Sequence, residues 1–188
     1  MLQVSSGTTG GTQRFRVEAN GRVIIGDGSP VAALHIADTT DIGLGGGGVF
    51  VIGPTNGQNL GMDNNEIMSR NNGSSSTLYL NHDGGDISTN GSVVHSSDKT
   101  LKDGIKDLDY GLNEVLQLKP STFYWKRDSA KTEIIGLIAQ DLQEVLPDLV
   151  VKDEKYGTLG IKYSQLTPLL IKAVQELSAK VTALEAKI

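Results

Sequence analysis

The chain has 188 residues and a mass of 20.0 kDa, with 17 Lys and Arg against 22 Asp and Glu for a net charge of −5. This is enough chain for one ordinary domain or two small ones, and the acidic balance argues against nucleic acid as a partner. Cysteine is absent, which excludes a disulfide framework, thiolate metal sites and a cysteine nucleophile. No apolar run reaches the roughly 20 residues of a membrane-spanning helix. Met1–Gly11 is rich in Ser, Thr and Gly where a secretion signal is basic and then apolar, so neither membrane insertion nor a signal is expected.

Glycine divides the chain, because 18 of its 23 glycines precede Val94. Charge follows the same division: residues 1–95 carry 4 basic and 8 acidic groups, and residues 96–188 carry 13 and 14. A Gly-rich all-β region over 1–95 and an α+β domain over 96–188 are expected, a mixed fold overall. In the first region Phe15–Ala19 and Arg22–Ile25 flank Asn20-Gly21, a strong hairpin signal. Further strands are predicted at Ala33–Ile36, Val49–Ile52, Glu66–Met68, Thr77–Leu80 and Asp86-Ile87. All are short and carry few large apolar side chains, so a monomer built from them buries little, and burial against identical chains is expected.

In the second region, helical spacing runs through Asp109–Leu118, followed by Pro120 and a strand at Ser121–Trp125. Ile134–Leu137 reads as a strand and Ile138–Leu146 as a helix stopped by Pro147. Leu149–Val151 and Thr158–Ile161 read as strands on either side of a turn at Lys155–Gly157. A final helix is predicted over 164–188, with Pro168 confined to its first turn. Its apolar residues Leu170, Val174, Leu177, Val181, Leu184 and Ile188 fall at spacings of 4, 3, 4, 3 and 4, a coiled-coil seam. An ordinary surface helix packed on its own domain is the alternative, although the strict 3.5-residue period is narrower than such a helix needs.

Few residues suggest chemistry. His35, His82 and His95 lie far apart without metal-ligand spacing and read as strand or loop residues. Gly43–Gly48 lacks the Lys-Ser/Thr of a phosphate loop and reads as a flexible or tightly packed turn. Asp83 and Asp86 offer too few ligands for calcium. No metal and no cofactor is expected. His95-Ser96-Ser97-Asp98-Lys99-Thr100-Leu101-Lys102 has more content. Ser-Ser-Asp before Leu101 is by itself a helix cap. If the turn is helical, Lys102 leans back toward the N-terminus and reaches the Ser97 hydroxyl, a pairing in which lysine serves as base and serine as nucleophile. Asp98 opposes that role if it points inward.

Three segments carry a family resemblance: Ser97-Asp98-Lys99-Thr100-Leu101-Lys102 for S-D-x-x-L-K, Gly136–Pro147 for G-x-I-A-Q-x-hydrophobic-Q-E-x-x-P, and Tyr163–Leu170 leading into the last helix. From Ser96 to Ile188 the chain resembles the C-terminal intramolecular chaperone domain of phage tailspikes and tail fibres. This endosialidase-type domain, also called peptidase S74, is shared with the myelin regulatory factor family. Thr100 stands where the family frequently has arginine, and Gly104 where it has asparagine. The resemblance implies a domain that trimerises, assists folding of the β-structure before it and then cuts itself off. It implies Ser97 and Lys102 as the catalytic pair, cleavage between Ser96 and Ser97, and a trimeric stalk or fibre tip over 1–95. It also implies a place in a virion tail or extracellular phage-like particle, assembled in the producing cell's cytoplasm, with a host-surface glycan or protein receptor as a further partner. The seam, with β-branched residues at one position and leucine at the other, favours two strands by itself, whereas the resemblance implies three. Two rivals stand beside this reading. One is a trimeric structural component of a tail or contractile injection apparatus that keeps the domain uncleaved. The other is a glycan-directed enzyme or binder in residues 1–95, where no paired carboxylates mark a cleft.

Overall fold

The computed structural model describes residues 2–5 and 13–188, so Met1 and most of the opening Ser/Thr/Gly segment, on which the reading of no secretion signal rests, lie outside the described residues. Two units are present, Met1–Val94 and His95–Ile188.

In the first unit, β1 (Leu2–Ser5), β2 (Gln13–Val17), β3 (Val23–Gly26) and β4 (Leu34–Ala37) form one sheet in that order. The β2–β3 hairpin turns through Asn20-Gly21 as its sequence predicts. Gly21 takes φ +84, a region open to glycine at little cost, and the Glu18 amide donates to Arg22 O at 2.8 Å to close the loop. Register places Arg16 opposite Ile24, whose side chain is wholly buried. β4 runs parallel to β3, a pairing that alternation alone does not announce. The return between them is pinned by Arg16, donating to Gly28 O at 2.9 Å, and by Arg22, donating to Pro30 O at 3.3 Å.

The second sheet is antiparallel, in the order β10-β9-β8-β7, from β7 (Phe50–Ile52), β8 (Gln58–Met62), β9 (Ile67–Asn71) and β10 (Ser74–Ser75). Ahead of it, the glycine run forms a hairpin of β5 (Ile42–Gly43) and β6 (Gly46–Gly47). The tightly packed alternative holds, and the cause is Arg70. Only 3% exposed, its guanidinium donates through Nη1 to Gly43 O at 2.6 Å and Gly46 O at 2.9 Å, and through Nε to Asn59 Oδ1 at 2.8 Å. Gly61 is the residue over which this packing closes: a Cβ there has no room against Ile42 and the Arg70 guanidinium.

Two predicted strands, Thr77–Leu80 and Asp86-Ile87, are irregular. A strand persists only as part of a ladder, and neither segment finds a partner among the described residues. Between them Asn81, at φ +51, and the turn through Gly84-Gly85 bend the chain. Conversely, β8 was hidden by its polar sequence, Gln-Asn-Leu-Gly-Met, although it is an inner strand. Among the described residues of this unit, Ile24, Pro30 and Ile42 are the buried apolar side chains, while Phe50, Val51, Ile52 and Ile67 stand exposed.

The second unit opens with α1 (Leu112–Val115), a single turn where the spacing predicted a helix across 109–118. Pro120 disfavours helical backbone at Lys119, and the chain turns out after Val115. Two carboxylates serve the N-terminus of α1: Glu114 accepts from the Gly111 amide at 2.7 Å, and Glu176, far along the chain, accepts from the Leu112 amide at 2.9 Å. The Glu176 carboxylate occupies the space a Cβ at residue 111 would need, so any other residue there would push that carboxylate off the amide. β11 (Ser121–Phe123) and β12 (Ile134–Gly136) pair antiparallel, as do β13 (Val150–Lys152) and β14 (Leu159–Ile161). α2 (Ala139–Val145) lies between the two pairs in sequence, and Pro147 opens a 3₁₀ turn directly after it. α3 (Leu166–Glu185) follows a 3₁₀ turn at Tyr163–Gln165 and has Pro168 in its first turn, as expected. Leu142, Leu146 and Leu169 form the core, packed against Val115, Leu118, Val145 and Ile161.

Arg70→Ala leaves two carbonyls and an amide oxygen without their donor in a buried place. It is expected to destabilise the first unit by about 2–4 kcal/mol, read from a lowered midpoint in chemical denaturation.

Candidate functional site

Every residue from 85 to 109 is exposed, and the only regular structure in that stretch is one 3₁₀ turn, Lys99–Leu101. Asp98 caps it, with extended backbone at φ −63 and ψ 138. Its Oδ1 accepts from the Thr100 amide and from the Thr100 hydroxyl, both at 2.7 Å. These bonds, the hydroxyl's first, hold the Asp98 carboxyl below its ordinary range. The turn closes through Leu101 N–H to Asp98 O and Lys102 N–H to Lys99 O, each at 3.2 Å.

Lys102 leaves the turn with extended backbone, and its side chain comes back along it. Nζ lies 2.6 Å from Ser97 Oγ and donates at 3.1 Å to Ser97 O. The two side chains singled out by sequence therefore meet. The cause differs from the one expected: a reversal through one capped 3₁₀ turn supplies the approach, since Lys102 itself is not helical. Asp98 is turned onto Thr100. Gly104 takes φ +61, a region in which glycine is unstrained and asparagine is the best tolerated alternative. The family's frequent asparagine and this chain's glycine thus suit one backbone shape. Ser96, whose carbonyl precedes Ser97, is exposed and irregular.

The other two motif segments are joined to each other. Tyr163 Oη accepts from the Leu137 amide at 2.9 Å, and Gly136 lies so close beneath the Tyr163 hydroxyl and the Phe123 ring that a side chain is excluded. Leu142 and Leu146 of the second segment pack on Leu169 of the third.

On α3 two faces separate. Leu169 and Ala173 are buried against the unit, whereas Leu170, Val174, Leu177, Val181 and Leu184 are all exposed, Val174 by 65%; the helix ends at Glu185, short of the predicted 188, so Ile188, also exposed, lies beyond it. The residues predicted as a seam are thus left out of the intradomain contact, which other residues make.

The histidines do not converge: His35 is on β4, His82 meets the Tyr79 ring edge to face at 5.1 Å, and His95 is exposed. The carboxylates that do converge among the described residues are Asp41, Asp63 and Glu66, with oxygens within 4.8 Å of one another, a group the sequence reading did not single out, having weighed and set aside Asp83 and Asp86. Asp63 is already engaged by the amides of Ile42, Asn65 and Glu66, and bonds from Asn65 and Ile42 hold its carboxyl below the ordinary range. Among the described residues no helix is long and apolar enough to cross a membrane.

Residues 97–151 match the peptidase S74 family, chaperone of endosialidase. The match begins at Ser97 and includes the first two motif segments, so the resemblance carried by those residues is borne out. Tyr163–Leu170 lies beyond it. The chain is 40% identical over 101 residues to the long tail fiber proteins Gp37 of Enterobacteria phages M1 and Ox2, an alignment of 50% of this chain and 40% of each relative. It is 30% identical over 158 residues to Gp37 of Enterobacteria phage K3, across 79% of this chain and 11% of that protein. The chain therefore matches 40% or less of the length of these relatives.

Proposed function

We propose that this chain belongs to a homotrimeric phage tail fibre and that its second unit is an intramolecular chaperone which drives trimerisation and then cleaves the chain between Ser96 and Ser97. The observation that carries the reading is the 2.6 Å approach of Lys102 Nζ to Ser97 Oγ at the point where the family match begins. The similarity to long tail fiber proteins supports the fibre, and with it a place in the virion tail and a host-surface glycan or protein receptor as partner.

The reaction is a single hydrolysis in cis. Lys102, as the neutral amine, takes the Ser97 hydroxyl proton while Oγ bonds to the Ser96 carbonyl carbon. The Ser96–Ser97 C–N bond breaks as that proton passes from Lys102 to the departing nitrogen, which leaves an ester between Ser96 and Ser97 Oγ and a free amine on Ser97. Water adds to the ester, whose C–O bond breaks to give the Ser96 carboxylic acid and restore the Ser97 hydroxyl. Lysine works as a base only where water is kept from it. Since residues 85–109 are exposed in the single chain, neighbouring copies supply that exclusion, which ties cleavage to assembly.

Physical reasons favour such a device. Short intermolecular strands have high contact order, so closure entropy must be met before contacts reward it. A coil built on the exposed seam of α3 brings three chains into register and raises the effective concentration of the strands. Removing the template afterwards leaves the fibre kinetically trapped. Three chains rather than two are proposed on the resemblance, because a coil of about three heptads is too short to set stoichiometry against a larger β-interface. A second reading, a trimeric tail or injection component that keeps the domain, is favoured by the full exposure of the pair.

Mass spectrometry separates the two. Self-cleavage yields two roughly equal fragments, the second beginning at Ser97, and Ser97→Ala and Lys102→Ala each leave the chain whole; cleavage persisting in both refutes the pair, and an intact wild-type chain favours the retained domain. A chain truncated to residues 1–96 is expected to aggregate or remain unfolded, while the same segment released by cleavage stays trimeric; soluble folded monomer overturns the chaperone role. In uncleaved Ser97→Ala protein, light scattering is expected to give a trimer mass. Adding Leu177→Asp and Leu184→Asp, which place unpaired charge at the axis, abolishes it.

A further inference from the structure

We propose that Asp98 and Thr100 are positioning residues for self-cleavage, and that the Thr100 hydroxyl does two things: it holds the turn that returns Lys102 to Ser97, and it keeps the Asp98 carboxylate off the Lys102 amine. This rests on the self-cleavage reading and deepens it.

The geometry is local. No buried side chain secures residues 97–102, all of which are exposed, so the turn is held by its own hydrogen bonds. A lone 3₁₀ turn has poor bond geometry and a costly nucleus, and a lysine chain carries much rotamer freedom to be ordered. Asp98 Oδ1 supplies the cap, and Thr100 meets it twice, through amide and hydroxyl, both at 2.7 Å. The same two bonds decide the electrostatics. Asp98 lies next in sequence to the nucleophile, and pairing its carboxylate with the lysine would hold the proton on the amine. Engaged by Thr100, Asp98 keeps its charge on the turn; its depressed pKa agrees with that engagement. The remaining titratable groups of the exposed stretch 85–109 are Asp86, His95, Lys99, Asp103, Lys106, Asp107 and Asp109. Asp103 Oδ1 accepts from the Gly104 amide at 2.7 Å, and Asp109 Oδ2 from Lys106 Nζ at 3.0 Å.

The test follows the rate of self-cleavage against pH in the full chain, with Ser97→Ala as the uncleaved control. Thr100→Val keeps the shape and removes the hydroxyl. It is expected to slow cleavage about fivefold, the worth of one lost hydrogen bond, and to raise the pH midpoint of the rate by about half a unit or more as Asp98 turns to the amine. Thr100→Ser restores both. Asp98→Asn in the Thr100→Val chain brings the midpoint back while the rate stays low, because no carboxylate remains to be released. Wild-type rate and midpoint in Thr100→Val overturn the inference alone. So does a slow rate with an unmoved midpoint that serine fails to rescue. An uncleaved wild-type chain overturns the self-cleavage reading and this inference with it.

Discussion

Apolar side chains have to be covered by something, and strands of two to five residues cannot cover their own. Such strands present about one to three side chains on each face. The first unit meets this limit throughout: Ile24 of the first sheet and Ile42 of the β5–β6 pair are enclosed, while the β7 side chains Phe50, Val51 and Ile52 remain in solvent. Where enclosure fails, directed bonds take over. Arg70 ties two glycine carbonyls and an asparagine together at the place where a larger domain would put leucine, and Gly61, which has no side chain to hold Ile42 and the guanidinium apart, lets them close over it. Bonds from a charged donor are strong when dry, but they have to be shielded from water to stay so. The unit therefore has specific geometry and little apolar enclosure of its own.

The second unit solves the same problem differently. Its sheets are hairpin pairs of three-residue strands, but α2 and α3 supply leucines that meet at Leu142, Leu146 and Leu169. These elements are close in sequence, apart from the return of α3 to α1, and a topology of that kind orders faster than one assembled from distant strands. In the proposed reading this difference gives the order of events: the unit with its own core forms first and presents the strands of the other to their partners.

What was legible in the sequence was local. Asn20-Gly21 carries its turn in two residues, Pro147 and Pro168 mark their helix boundaries, and Ser97 and Lys102 are five residues apart within one capped turn. The apolar period of α3, exposed from Leu170 to Leu184, was also legible, because a period is visible without a partner. Elements that depend on distant chain were not. β8 is defined by the strands on either side of it rather than by its polar residues, and Thr77–Leu80 has strand composition but no ladder. Arg70 reads as a surface charge until the glycine hairpin closes over it. Asp98 showed its capping role, yet nothing in the sequence said that Thr100 would engage both its amide and its hydroxyl.

The bond from Glu176 to the first amide of α1 acts as a rotational key. A helix gripped only by leucines can roll on its axis with small loss, since greasy contacts have little angular preference. A carboxylate aimed at one amide has a great deal. Glu176 sits between Val174 and Leu177, so fixing its azimuth fixes theirs: a slip of one residue would swing the whole stripe by about 100°. Gly111, which leaves the keyhole open, thereby governs the bearing of side chains many ångströms further along the rod.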